Sequence, residues 1–292
     1  MSALEHAVER VWPGEDARYE ALGGGITNHN LKVEVGGETF VLRVAGKDTG
    51  LLGIDRGVEL AATSAAADLG IGPEVVAFVE PEGWLVTRFV EGEPPDLARM
   101  REPDMLERVA TALRAFHEGP ALQCEFDSFR VVERYRETAE ARGREMPPTF
   151  AWAQAVATDI GARRDGGMPV PCHNDLLNAN FIDDGERLRI VDWEYAGMGD
   201  RFFDLANFSI NHELDVEARS ELLREYAGEV RGEDERALEL MRFMSDFREA
   251  MWGVVQSAVS ELDFDFDGYA AEHFARLERT AATSEFVAAL EA

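Results

Sequence analysis

The segment 171–181, PCHNDLLNANF, combines residue types that can serve phosphoryl transfer. Its His-x-Asp-x4-Asn pattern places Asn180 five residues after Asp175, and a further acid, Asp192, follows the apolar run LRIV. Phosphoryl transfer needs a carboxylate that orients and deprotonates the attacking hydroxyl, and oxygen ligands for the Mg²⁺ that neutralises the phosphates of ATP. The spacing predicts Asp175 as the base and Asn180 and Asp192 as metal ligands. The alternative is a turn-rich loop in which Asn and Asp only cap local backbone.

A glycine-rich stretch, GGGITNHN, lies between two predicted strands. Because glycine lets backbone N–H groups approach phosphates closely, Gly24 and Gly25 are candidate nucleotide-binding positions. Thr27 and Asn28 follow them and could add side-chain donors. Three adjacent glycines are equally compatible with any tight turn.

The third predicted strand, in FVLRVAG, carries Arg43 where kinases usually place a basic residue that reaches the phosphates. A guanidinium can bind phosphate through two parallel hydrogen bonds, and Glu59 on the following helix is its expected partner. The alternative is that a mid-strand arginine faces solvent. Lys32 and Lys47 are the only lysines, and neither occupies this strand position.

Two regions of different pattern must position these residues. Residues 1–91 predict strand, strand, strand, helix, strand, strand, with alternating apolar side chains in the strands and a helix over 56–69. From residue 92 onward helical periodicity predominates, interrupted over 170–195 by a hairpin-like segment. We therefore predict an α+β fold of two lobes. The N-terminal lobe, 1–91, would bind ATP, and the C-terminal helical lobe, 92–292, would carry the catalytic loop and the acceptor pocket.

Composition limits the partners of the chain. Its 292 residues carry a formal net charge of −28, which opposes binding to nucleic acid or anionic membranes and is compatible with a cationic substrate. The sequence contains no apolar run of about 18 residues, so no membrane span is predicted. Two cysteines give no disulfide framework and the N-terminus lacks a signal-peptide pattern, so we expect a cytoplasmic protein. The oligomeric state is not indicated by the sequence.

The chain resembles the choline/ethanolamine kinase family, in its bacterial form, within the wider group of aminoglycoside-phosphotransferase-like kinases. The resemblance is carried by GGGITNHN, VLRVAG, CHNDLLNANFI, IVDWEYAGMGDRFFDLANF and AMWGVVQS, which together span nearly the whole chain. It implies a protein-kinase-like fold, ATP and Mg²⁺, an arginine on the third strand and a small cationic alcohol as acceptor. It also implies that Asp204 accepts hydrogen bonds from the catalytic-loop backbone and that adenine stacks near Phe89, Val90 and Glu91.

The acceptor pocket is the part that the sequence defines least. A quaternary ammonium has no N–H donor, so its recognition needs aromatic faces and carboxylates. Candidates are Glu194 and Tyr195 next to the metal-binding Asp192, and Glu249 and Trp252 in REAMWGVVQS. The family's eukaryotic branch has two tryptophans three residues apart in this helix, whereas here Glu249 stands three residues before Trp252. An acid at that position suits a primary ammonium or holds a cation by charge.

The expected activity is ATP-dependent phosphorylation of an amino alcohol, choline or ethanolamine. One alternative keeps the chemistry and changes the acceptor to an aminoglycoside, a macrolide or another metabolite. A second alternative is a nucleotide-binding scaffold without catalysis.

Overall fold

The computed structural model describes residues 2–23, 28–46, 49–164 and 166–292. The chain forms two compact units. The first unit comprises residues 1–95 and 179–195, and the second comprises residues 96–178 and 196–292. The first unit thus takes in a segment that lies beyond residue 91, and the division at residues 91 and 92 stays a prediction.

The first unit contains a five-stranded antiparallel sheet in the order β1-β2-β3-β5-β4. Its elements are α1 (Ala3–Val11), β1 (Arg18–Ala21), β2 (His29–Val35), β3 (Glu38–Val44), α2 (Arg56–Asp68), β4 (Val75–Val79), β5 (Trp84–Arg88) and the hairpin of β7 (Phe181–Asp183) and β8 (Leu188–Ile190). The predicted order of strand, strand, strand, helix, strand, strand is found from β1 to β5, and helix α1 precedes it.

Alternation of side chains builds the core of this sheet. Leu31 and Val33 on β2, together with Phe40 and Leu42 on β3, point to one face and are buried. Val8 of α1 packs against the same cluster. Burial of one sheet face and of one stripe of a helix is the usual way in which such elements stabilise each other.

Helix α1 was not predicted from the sequence, although its start carries a recognisable signal. Ser2 and Glu5 form a capping box, in which the Glu5 N–H donates to Ser2 Oγ at 3.1 Å and the Glu5 carboxylate accepts from the Ser2 N–H. The S-x-x-E spacing satisfies two N–H groups that would otherwise lack partners at the helix start.

The second unit is mainly helical. Its elements are α3 (Leu97–Met100), α4 (Pro103–His117), α5 (Ser128–Ala141), α6 (Phe150–Arg163), β6 (Val170–Cys172), β9 (Gly197–Gly199), α7 (Arg201–Asn211), α8 (Val216–Ala227), α9 (Gly232–Val259), α10 (Phe266–Ala281) and α11 (Ser284–Glu291). Strands β6 and β9 pair antiparallel. The two units together confirm the predicted α+β class.

Helix α9 is the centre of the second unit. It has 28 residues and is buried along most of its length, with Phe243, Phe247 and Met251 almost inaccessible to solvent. A helix that is buried on most sides must be surrounded by other elements, and α5, α7, α10 and α11 all pack against it. None of the helices within the described residues has the length and hydropathy needed to cross a membrane.

Candidate active site

The candidate catalytic loop, residues 173–176, follows β6 in the second unit and is held by α7. The His173 N–H donates to Asp204 Oδ2 at 2.8 Å, and the Asn174 N–H donates to Asp204 Oδ1 at 2.7 Å. His117 of α4 lies 3.0 Å from the same carboxylate. Asp204 is fully buried, and its hydrogen bonds to the loop backbone confirm the contact expected from the sequence.

A second side chain of α7 holds the end of the loop. The Leu176 N–H donates to Asn207 Oδ1, and Asn207 Nδ2 donates in turn to Ser245 Oγ of α9 at 3.0 Å. Asn174 adopts φ = 68°, a left-handed conformation that is uncommon outside glycine. The loop conformation is therefore fixed by buried polar contacts rather than by apolar packing.

Asp175 is the carboxylate that this loop presents. Its residue is 9% exposed, and its Oδ1 lies 3.2 Å from the NH2 group of Arg248 on α9. Arg248 also donates to the Asn174 carbonyl, and the His173 Nδ1 accepts the Asp175 N–H at 3.2 Å. A carboxylate held in this way by a buried guanidinium keeps a defined orientation, as a general base requires.

Arg248 was missed by the sequence analysis. It is 1% exposed and lies inside a long buried helix, where the sequence gives no spacing signal that separates it from a surface arginine. Only its position beside Glu249, in REAMW, connects it with the predicted acceptor residues.

The predicted acceptor residues of α9 lie close to α10. Glu249 is 2% exposed; its Oε1 lies 3.0 Å from Arg248 NH1 and its Oε2 accepts a hydrogen bond from the Tyr269 hydroxyl at 2.9 Å. The Trp252 ring packs edge-on against Tyr269 and Phe266, with centroid distances of 5.3 and 5.8 Å. Burial, followed by the charge of Glu249, raises the pKa of the Tyr269 hydroxyl well above its ordinary value.

Two carboxylates and two aromatic rings lie close together in the second unit. Asp175 and Glu249 both pair with the guanidinium of Arg248, and Glu249 contacts Tyr269, whose ring packs against Trp252. Within the described residues, Glu249 Oε1 accepts no hydrogen bond in addition to its ion-pair contact. A carboxylate and aromatic rings around one place are the features that bind an organic ammonium group.

In the first unit, Arg43 of β3 links the predicted phosphate and metal residues. Its NH1 group donates to Glu59 of α2 and lies 3.1 Å from Asp192 Oδ1. The predicted ion pair between Arg43 and Glu59 is therefore present. Burial lowers the pKa of Arg43, but the charges of Asp192, Glu59 and Glu194 outweigh it, so the pKa is raised above its ordinary value and the guanidinium stays charged.

Arg56 is a second arginine at this place, and it was not predicted from the sequence. Its NH1 group lies 2.6 Å from Glu59 Oε2 and 3.2 Å from Glu194 Oε2, and its NH2 group donates to Asn28 Oδ1 at 2.9 Å. Asn28 Nδ2 closes the network by donating to Glu194 Oε2 at 2.8 Å. The only signal in the sequence is the i,i+3 spacing of Arg56 and Glu59, which is common on helix surfaces.

Among the described residues, this network contains three carboxylates and two guanidinium groups. Glu59, Asp192 and Glu194 face Arg43 and Arg56. Burial, with the neighbouring charge of Asp192, raises the pKa of Glu194 to about 8. An excess negative charge at such a place favours a cation or a proton.

The oxygen atoms of Asp192 and Asn180 are suitable ligands for a divalent metal ion. Among the described residues, Asp192 Oδ1 is buried and accepts no hydrogen bond, although it pairs with Arg43. The Val191 N–H donates to the Asn180 carbonyl at 2.9 Å, which brings the backbone of Asn180 beside that of Asp192. Asp192 has φ = 66°, so its backbone is in the left-handed region. A carboxylate and an amide oxygen are ligands that Mg²⁺ accepts.

The remaining predicted residues have separate positions. Gly24, Gly25 and Thr27 lie outside the described residues. The Phe89 N–H donates to the Thr39 carbonyl, and the Lys32 ammonium lies 4.5 Å from the centroid of the Phe89 ring. Val90 is half-buried, Glu91 is exposed and Tyr195 is buried. The roles assigned to all predicted site residues stay predictions.

Comparison with known proteins relates the chain to one enzyme family. The phosphotransferase enzyme family matches residues 18–240, about three quarters of the chain. Protein LicA of Haemophilus influenzae is 28% identical over 217 residues, which cover 70% of this chain and 62% of LicA. The matched region thus spans less than two thirds of that relative's length.

Solved structures extend the similarity to the whole chain. A choline/ethanolamine kinase family protein from Mesorhizobium loti superposes with a TM-score of 0.82 at 29% identity, covering 100% of this chain and 98% of its own. Choline kinase LicA from Streptococcus pneumoniae gives 0.81 at 23% identity, with 96% and 99% covered. A LicA structure in complex with AMP gives 0.78 at 22% identity, with 96% and 100% covered. The last two structures share less than 25% identity with this chain, so their similarity indicates the fold alone.

Proposed function

From the premise that the chain belongs to the phosphotransferase enzyme family, we propose that it transfers the γ-phosphate of ATP to the hydroxyl of a small amino alcohol of the choline and ethanolamine class. The observation that carries the proposal is the Glu249 carboxylate, whose Oε1 accepts no hydrogen bond among the described residues beyond its ion pair with Arg248, beside the ring of Tyr269, which packs against Trp252. A carboxylate next to aromatic rings is suited to bind an ammonium group.

Asp175 would act on the acceptor hydroxyl. As the oxygen attacks the γ-phosphorus, its proton passes to the Asp175 carboxylate, and the bond between the γ-phosphorus and the bridging oxygen of ADP breaks. Arg248 would hold the carboxylate in a defined orientation before the transfer. Glu249 and Trp252 would bind the ammonium end and so hold the hydroxyl end in place.

Arg43 and Arg56 would bind the phosphates of ATP. Both are paired with carboxylates that fix their direction, and a guanidinium retains further donors after one ion pair has formed. Asn180 and Asp192 would hold Mg²⁺, whose chemistry in this reaction is to neutralise charge on the phosphates. Tyr195, Glu194 and the segment of Phe89, Val90 and Glu91 remain candidates for acceptor and adenine contacts.

The proposal is tested with purified protein, ATP and Mg²⁺ by measuring ADP formation with a panel of hydroxyl acceptors. The panel contains ethanolamine, choline, serine, a sugar, kanamycin and a macrolide. We expect saturable activity on ethanolamine, choline or both, and none on the sugar. Saturable activity on kanamycin with none on either amino alcohol would assign the acceptor to the antibiotic class instead. Nucleotide binding without transfer to any acceptor would favour a non-catalytic scaffold.

A further inference from the structure

A cavity of about 1020 Å³ lies in the second unit, apart from the residues assigned to the reaction. It is bordered by the ends of α4, α6 and α8 and by the beginnings of α7 and α9. We call it the arginine cavity because six of its lining residues are arginines: Arg114, Arg163, Arg164, Arg201, Arg231 and Arg236. Neither Asp175 nor any predicted acceptor residue lines it.

The charge of the arginine cavity is opposite to that of the chain. The whole protein has 57 acidic and 29 basic residues, whereas the cavity lining has six arginines and four acidic residues. Two of the arginines are neutralised locally, because Arg164 pairs with Asp200 and Arg231 pairs with Glu233 and Asp234. The other four have no carboxylate partner among the described residues.

Three of these four arginines cap helix ends. Arg114 NH1 donates to the carbonyls of Glu225 and Tyr226 at the end of α8, and Arg163 and Arg236 donate through Nε to carbonyls of α11. Helix capping accounts for the position of these three arginines. Each guanidinium uses only one of its three nitrogens in the capping hydrogen bonds. Their remaining N–H groups can still bind an anion.

Arg201 has no such structural role. It is the first residue of α7, its side chain is exposed, and it forms no hydrogen bond or ion pair with any residue that the structure describes. An arginine of this kind, beside half-buried Arg114 and Arg236, concentrates positive charge in an otherwise acidic protein. Local positive charge attracts multivalent anions.

The arginine cavity also offers apolar surface. Phe202, Leu223, Tyr226 and Leu240 line it, and the Arg164 guanidinium lies 5.2 Å from the centroid of the Phe202 ring. A volume of this size holds an organic molecule rather than a single inorganic ion. Guanidinium groups bind phosphate oxygens in pairs of parallel hydrogen bonds, and the rings provide contacts for an organic part.

We propose that the arginine cavity binds a small organic phosphate, in addition to the substrates of the proposed reaction. The site would hold the phosphate through Arg201 and Arg236 and the organic part against Phe202 and Tyr226. It does not depend on the identity of the alcohol acceptor, and it would bind its ligand without Mg²⁺ or ATP.

The test is isothermal titration calorimetry of the full-length protein with phenyl phosphate, at low ionic strength and with EDTA present. We expect one saturable site in the wild type, and a loss of affinity of about tenfold or more in Arg201→Ala, because a charge-assisted hydrogen bond is removed. The double variant Arg201→Ala/Arg236→Ala should show no measurable binding. Since Arg201 makes no hydrogen bond or ion pair among the described residues, the unfolding midpoint of its variant should match the wild type.

Two control variants distinguish binding in the arginine cavity from general charge attraction and from binding at the candidate ATP-phosphate residues. Arg130→Ala removes the same charge from α5, where the side chain is 77% exposed, and should bind like the wild type. Arg43→Ala removes the candidate ATP-phosphate residue and should also retain binding. The proposal is overturned by absence of binding to the wild type, by equal loss in Arg130→Ala, or by loss in Arg43→Ala with binding unchanged in Arg201→Ala.

Discussion

At the scale of single residues, both clusters of candidate site residues combine carboxylates with arginines. Glu59, Asp192 and Glu194 pair with Arg43 or Arg56, and Asp175 and Glu249 pair with Arg248. Buried charges are costly unless they are paired, so these ion pairs fix the direction in which each side chain points.

Arg56 should contribute to ATP binding. Replacing it by alanine leaves Glu59 and Glu194 with one guanidinium fewer and removes a candidate phosphate donor. We expect Arg56→Ala to raise the KM for ATP about tenfold or more, with a smaller effect in Arg56→Lys, which keeps the charge. Steady-state kinetics with each substrate varied in turn provide the measurement, and the KM for the alcohol should change less than about twofold.

Arg10→Ala is the matched control for this prediction, because Arg10 forms an exposed ion pair with Glu82 in the same unit. An unchanged KM for ATP in Arg56→Ala, or an equal effect in Arg10→Ala, would contradict a role in phosphate binding.

Glu249 should determine how tightly the amino alcohol binds. Glu249→Gln keeps the shape and a contact to Tyr269 but removes the negative charge that an ammonium group would meet. We expect the KM for the amino alcohol to rise about tenfold or more while the KM for ATP stays within about twofold.

The control for Glu249 is Glu272→Gln on the exposed side of α10, which should behave like the wild type. If Glu249→Gln left the KM for every amino alcohol unchanged, the ammonium would have to bind elsewhere.

At the scale of elements, helix α7 supports the candidate catalytic loop. Asp204 and Asn207, three residues apart on one face of α7, accept three N–H groups of residues 173–176. The sequence indicated Asp204 through the family resemblance, but no local pattern indicated Asn207. Its role depends on a contact between residues 31 positions apart in the chain, which neither periodicity nor spacing can reveal.

The same helix carries a group that should make stability depend on pH. Burial lowers the pKa of His212, at the end of α7, to about 4. Above its unfolded pKa of about 6.5 the ring is neutral in both states and costs nothing. As the pH falls from about 6.5 to 4, the unfolded state takes up the proton first, so the free energy of unfolding decreases by up to about 3 kcal/mol from this group.

We expect urea unfolding at a series of pH values to show this decrease in the wild type and a shallower one in His212→Gln. Parallel curves for His212→Gln and the wild type between pH 6.5 and 4 would show that His212 does not titrate as inferred.

Elements were predictable to different degrees. Long amphipathic helices such as α4 and the sheet strands β2 and β3 follow from periodicity, because one face is buried and the other is not. The three-residue strands β6 and β9 were missed because their pairing joins segments that are distant in the chain, whereas the equally short β7 and β8 lie in the predicted hairpin-like segment. Helix α9 was predicted, but its burial on most sides hides which residues, such as Arg248, face the site.

At the scale of the whole molecule, the comparisons confirm the resemblance to choline/ethanolamine kinases and the two-lobed kinase-like fold class. The sequence sufficed for this because the catalytic motif, the strand arginine and the late tryptophan lie far apart and agree on one chemistry. It did not suffice for Arg56 or Arg248, whose importance comes from burial and from partners distant in the chain.

The formal charge of −28 should make the folded state sensitive to salt. Like charges on a compact molecule repel one another, and screening by salt weakens that repulsion. We expect Tm at pH 7.5 to rise by several degrees between low salt and about 0.5 M NaCl, measured by differential scanning calorimetry. Near pH 4.5, the isoelectric point, the rise should disappear. A salt effect of equal size at both pH values would show that repulsion is not its cause.

The most direct test of the proposed mechanism is transfer of labelled phosphate from γ-³²P-ATP to ethanolamine and to choline, compared between the wild type and Asp175→Asn. Asparagine keeps the shape of the side chain but cannot accept the proton. We expect product with the wild type and a loss in kcat of about 10²-fold or more in Asp175→Asn, with the KM for ATP nearly unchanged and the fold intact by circular dichroism. A folded Asp175→Asn protein that transfers phosphate at the wild-type rate would contradict the mechanism.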